Sequence, residues 1–90
     1  MKIIIVDDTY EKVEKIAKEI KDSNLHDYQL IHCSNSQDAL NSMVETNFDL
    51  LFLDIQLPEA LGEPIKEDAG INLIELIKIN PKVNVPTHIV

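Results

Sequence analysis

Phe48-Asp49-Leu50-Leu51-Phe52-Leu53-Asp54-Ile55-Gln56-Leu57-Pro58 is the stretch whose reading decides the fold. Four successive large apolar residues, Leu50 to Leu53, have the pattern of a short strand covered on both faces, the habit of a parallel sheet with helices above and below. The run ends in a carboxylate, Asp54. In open α/β sheets ligands bind at the carboxyl ends of the strands, so an acid at that edge stands where chemistry is usually done. A second strand of the same kind, Lys2 to Val6, ends in Asp7-Asp8. Three carboxylates are thus offered at the ends of two strands.

The segments on either side supply the helices that such a sheet needs. From Thr9 to Lys21, Val13, Ile16, Ala17 and Ile20 recur at helical spacing, with Glu11, Lys12, Glu14, Lys15, Lys18 and Glu19 on the wet side. Asp8 and Glu11 have the spacing of a capping box, with aspartate in place of the usual Ser or Thr. Asp22-Ser23-Asn24 closes this helix. Tyr28 to Cys33 alternates as a second strand, placed near an edge. Ser34 to Gln37 repeats the capping signature, and Ala39, Leu40, Met43 and Val44 form the buried stripe of a helix ending near Thr46. After Pro58, residues 59–69 carry Gly62, Pro64 and four acids and read as a long exposed loop. Ile71, Leu73, Ile74 and Ile77 give a third helix from Gly70 that Pro81 stops. Val83 to Val90 reads as a fourth strand. The order strand, helix, strand, helix, strand, helix, strand predicts an α/β domain: one open parallel sheet with helices on both faces.

Composition narrows the function. Ninety residues make one small domain, and the net charge of −8 with pI near 4.6 leaves no basic stripe for nucleic acid or an anionic membrane. No apolar run approaches the roughly 18 residues of a membrane span, and Met1-Lys2 opens directly into a strand rather than a signal peptide. The single cysteine, Cys33, has no internal partner, which fits a reducing compartment. The expectation is a soluble, cytoplasmic protein.

If the first and third strands are neighbours, Asp7, Asp8 and Asp54 share one cleft. Two like charges about 4 Å apart repel by roughly 4 kcal/mol at an effective dielectric near 20, so such a cluster calls for a cation or a proton. An all-oxygen donor set suits Mg²⁺, and no His/Cys spacing offers a zinc site. A divalent ion there would draw in a phosphoryl group, leaving a carboxylate as nucleophile. The plainer reading of Asp7 and Asp8, a strand end and a helix cap, stands beside this one. His26, His32 and His88 are scattered and read as surface or packing residues. Lys12 and Lys15 lie on the outer face of the first helix.

Val6-Asp7-Asp8 after an Ile-rich strand, Leu53-Asp54 after another, and Asp54-Ile55-Gln56-Leu57-Pro58 followed by Gly70-Ile71 resemble the receiver domain of two-component response regulators. The resemblance covers nearly all of residues 1–90. It implies a flavodoxin-like sheet of order 2-1-3-4, with Asp54 as phosphoacceptor, Asp8 as a direct Mg²⁺ ligand, Asp7 as a ligand acting mainly through water, and the Gln56 backbone carbonyl completing the set. It also implies the partner, a sensor histidine kinase or phosphotransfer protein, and a signalling phosphoacceptor with at most slow self-dephosphorylation rather than an enzyme.

Two departures accompany the likeness. Eleven residues separate Pro58 from Gly70, which implies an insertion over 59–69. The family's switch Ser/Thr would fall just after Val90, and the last helix-strand-helix portion, including the strand with the family's lysine, is lacking. The resemblance therefore implies a C-terminally incomplete receiver that either self-associates through its open fourth-strand edge or is a piece of a longer protein. Two alternatives remain: a non-phosphorylated, receiver-like interaction module, and a metal-dependent phosphate-ester hydrolase using the same aspartates.

Overall fold

A computed structural model describes all of residues 1–90. In chain order the elements are β1 (Lys2–Val6), α1 (Tyr10–Asp22), β2 (Gln29–Cys33), α2 (Ser36–Glu45), β3 (Leu50–Leu53), β4 (Leu57–Pro58), β5 (Ile65–Lys66), α3 (Ala69–Ile79) and β6 (His88–Ile89). Four strands form a sheet of order β2-β1-β3-β6, parallel at every pairing, and β4 and β5 form a separate two-stranded unit. The architecture is α/β.

The β-branched run Ile3-Ile4-Ile5-Val6 makes β1 a central strand with all four side chains at 0% exposure. Strand alternation divides them between two layers. Ile4 and Val6, in register with Leu51 and Leu53, join Ala39 and Met43 of α2 and Leu73 and Ile77 of α3 in one core. Ile3 and Ile5 face the other way. There α1 buries Val13 and Ile20, and its Ile16 lines a groove of about 230 Å³ together with Ile5, Phe52 and Val90. Since α1 alone covers this layer, Leu50 and Phe52 are only half-buried. Of β3 only Leu51, on the α2/α3 side, is fully buried, so the cover on both faces that its apolar run predicts is incomplete.

Several local expectations need correction. The N-cap of α1 is Thr9, without a side-chain cap bond, and Asp8 does not cap; instead Asp7 Oδ1 accepts the Thr9 N–H at 2.8 Å. The N-cap of α2 is Asn35: its side-chain oxygen accepts the Asp38 N–H at 2.9 Å, and its Nδ2 donates to Asp38 Oδ2 at 2.9 Å. The Ser34/Gln37 box thus gives way to a reciprocal Asn35/Asp38 pair, which satisfies a helix-end donor equally well.

Residues 59–69 are not a structureless loop. Leu57 and Pro58 pair antiparallel with Lys66 and Ile65. Between them the Glu63 N–H donates to the Ala60 carbonyl at 3.1 Å around Gly62 at φ +84°, the geometry of a type II turn. Leu57, fully buried, anchors this hairpin in the core, and the Gln37 N–H donates to the Glu59 carbonyl at 2.8 Å, tying it to α2. The last strand is also shorter than the pattern over 83–90 predicts. Val83 packs into the core and the Asn84 N–H is taken by the Met43 carbonyl at 2.9 Å, so pairing with β3 begins only near Thr87.

Candidate functional site

Register brings the acids together. Val6 pairs with Leu53 in adjacent parallel strands, so Asp7 and Asp54, the next residue of each, emerge side by side at the carboxyl edge. The Asp54 N–H donates to the Val6 carbonyl at 2.9 Å and the Asp7 N–H to the Cys33 carbonyl at 3.1 Å, which extends the ladder through both acids and fixes their backbones. Asp7, Asp8 and Asp54 each place a carboxylate oxygen within 4.8 Å of the others. Asp7 is buried at 6% exposure; Asp8 and Asp54 are half-buried and open to solvent.

The bonds around the cluster leave it a surplus of negative charge. Asp7 Oδ1 is held by the Thr9 N–H, and Asp54 Oδ1 accepts the Gln56 N–H at 3.3 Å. Gln56 thus enters the site through its amide. Lys12, on the first turn of α1, brings Nζ to 3.9 Å from Asp54 Oδ2. Its side chain is 60% exposed, as its outer helical face predicts, yet its Nζ reaches the edge where Asp54 stands. His32 on β2 is a second residue whose place spacing does not reveal, with Nε2 2.8 Å from the Asp7 backbone carbonyl; that contact requires the proton on Nε2.

Beneath Asp54 the first turn of α3 makes a close backbone approach. The Gly70 N–H donates to the Ile55 carbonyl at 2.8 Å, and a β-carbon on Gly70 would collide with the Asp54 carbonyl oxygen and stand 2.6 Å from Ile55 Cα. Only glycine lets the helix approach the peptide after Asp54 this closely. The same contact explains why the helical pattern restarts at Gly70 after the hairpin.

The donor set is compatible with Mg²⁺. That ion holds oxygen at about 2.1 Å, so two oxygens on one ion lie at most about 4.2 Å apart. A mutual spacing of up to 4.8 Å suits an ion held by some carboxylates directly and by another through water. No histidine or cysteine joins the cluster, which disfavours zinc.

No helix of the chain is long and apolar enough to cross a membrane. No family model matches the chain, and no solved structure matches it. Over 89 residues it is 33% identical to an uncharacterized protein, y4jS, of Sinorhizobium fredii, an alignment that takes in 99% of this chain and 22% of that protein. The chain therefore spans about a fifth of the length of the curated relative it matches.

Proposed function

We propose that the chain is the phosphoacceptor receiver module of a two-component phosphorelay, working in the cytoplasm and taking a phosphoryl group from a sensor histidine kinase or phosphotransfer protein onto Asp54. The observation that carries the reading is the meeting of Asp7, Asp8 and Asp54 at the carboxyl edge of two adjacent parallel strands. The parallel sheet order β2-β1-β3-β6 supports it, being compatible with a flavodoxin-like order 2-1-3-4 once the hairpin is set aside. In this reading residues 59–69, which carry the turn and β5, are an insertion into the receiver.

In the reaction, an oxygen of the Asp54 carboxylate attacks the phosphorus of a phosphohistidine, the P–N bond breaks, and the imidazole leaves with the electron pair. Later attack by water releases inorganic phosphate and restores the carboxylate. Asp7, Asp8, Asp54 and the Gln56 carbonyl would hold Mg²⁺. When bound, the ion supplies positive charge to the phosphoryl oxygens and lets the acids coexist. The chain's own part is positional: the ladder bonds from Asp54 to Val6 and from Asp7 to Cys33 aim the acids, and the Gln56 N–H orients the Asp54 carboxylate. The outer edge of β6, with Ile89 and Val90 exposed, is proposed as the contact for a second copy.

Acetyl phosphate with Mg²⁺ and intact-mass detection tests the proposal. It requires the gain of one phosphoryl group, abolished by Asp54→Asn. No gain would assign the chain to a non-phosphorylated interaction module, and repeated turnover of the donor to a metal-dependent hydrolase.

A further inference from the structure

Resting on the phosphoacceptor reading, we infer that Lys12 is a catalytic residue of this site, the cation that receives the oxygens of the incoming phosphoryl group. Charge balance demands one. Asp7, Asp8 and Asp54 carry three negative charges and a divalent ion brings two positive ones; turning the Asp54 carboxylate into an acyl phosphate adds a further negative charge. Of the chain's eight basic residues, only Lys12 and Lys66 come within 4.0 Å of a carboxylate, and Lys66 is taken up by Glu59 in the hairpin.

The atoms on Asp54 are already differentiated. Oδ1 accepts the Gln56 N–H, while Oδ2 is the oxygen that faces Lys12 Nζ at 3.9 Å. Oδ2 therefore forms the bond to phosphorus, and the bond between phosphorus and its donor breaks with the electron pair going to the donor. The new phosphoryl oxygens arrive beside Nζ. A charge-assisted hydrogen bond needs a separation of about 2.8 Å, and the flexible lysine stem lets Nζ, already 3.9 Å from Oδ2, move to meet those oxygens. The residue sits on α1, an element quite separate from the strand in which the resemblance places a lysine.

The test measures the rate of phosphoryl gain from acetyl phosphate in Mg²⁺ for Lys12→Gln, Lys12→Arg and Lys15→Gln, together with Mg²⁺ affinity measured without donor. Lys12 is exposed, so its variants keep the fold. Lys12→Gln is expected to slow the gain about tenfold, less than the loss of a rigid oxyanion donor because the side chain is mobile and wet. Lys12→Arg stays within about threefold of the parent, since it keeps the charge. Lys15→Gln leaves the rate unchanged, and Mg²⁺ affinity in Lys12→Gln is unchanged or tighter. Parent-like phosphorylation of Lys12→Gln overturns the role of Lys12 and leaves Asp54 as phosphoacceptor. Equal slowing by Lys15→Gln reduces the effect to net charge and overturns it as well, and so does a matching fall in Mg²⁺ affinity. Failure of the parent chain to gain any phosphoryl group removes the phosphoacceptor reading itself and this inference with it.

Discussion

Replacing Gly70 by alanine is expected to destabilise the chain by about 2 kcal/mol, and the reason lies at Asp54 rather than in the helix. An ideal β-carbon at position 70 would run into the Asp54 carbonyl oxygen, 2.6 Å from Ile55 Cα and 3.1 Å from the Asp54 carbonyl carbon. All three atoms are backbone, so no rotamer change relieves the contact and α3 must back away. Overpacking of this kind costs about 1–3 kcal/mol, here near the upper end. Alanine's better helix propensity returns about 1 kcal/mol, which gives the net figure. For a domain of this size each kcal/mol moves the midpoint by about 4–8 °C, so thermal unfolding followed by circular dichroism should show a drop of about 8–16 °C. Gly62→Ala is the contrast. Gly62 has φ +84° and open space around it, so its cost is the left-handed backbone alone, about 1 kcal/mol. A Gly70→Ala chain as stable as the parent, or less perturbed than Gly62→Ala, would refute the close approach of α3 to Asp54.

Other outcomes follow from single contacts. Asn35→Ala removes the buried cap of α2 and both of its bonds to Asp38, at a cost of about 1–2 kcal/mol in urea unfolding. Burial pushes the Cys33 thiol above its ordinary 9.0, partly opposed by the Ser42 hydrogen bond and reinforced by the charge of Asp38. Iodoacetamide at pH 8 should therefore label it slowly until urea is added. Because its folded pKa is raised, its contribution to stability is intact below about pH 9 and is lost as pH climbs through the folded value; a stability that rises over that window would contradict the assignment. Sedimentation at micromolar concentration should report self-association through the β6 edge, and a well-folded monomer there would remove that contact from the account.

The parallel sheet and the acids at its edge were legible in the sequence because two strong signals agree. The β-branched run Ile3 to Val6 and the apolar run Leu50 to Leu53 each stop at an aspartate, and parallel pairing of neighbours then places those aspartates together. Caps were less legible. Ser34-Asn35-Ser36-Gln37-Asp38 holds several residues able to cap, and spacing alone does not choose among them; burial of Asn35 does. The β4-β5 hairpin escaped because two-residue strands carry no alternation to read, although Gly62 at the turn and the burial of Leu57 account for it afterwards. Lys12 shows a different limit. A helical projection sorts side chains by angle around the axis and correctly makes Lys12 wet. It does not register that the first turn of α1 brings Lys12 near Asp54, at the end of the neighbouring strand β3.

The claim on which all this depends is that the carboxylates of Asp7, Asp8 and Asp54 act together as one cation site. Titration of Mg²⁺ into the isotopically labelled chain, followed by amide NMR, tests it most directly. Saturable shifts centred on the amides of Asp7, Asp8, Asp54 and Gln56, abolished by Asp8→Asn, are the predicted result. Shifts spread evenly over the acidic surface, or persisting undiminished in Asp8→Asn, would contradict it.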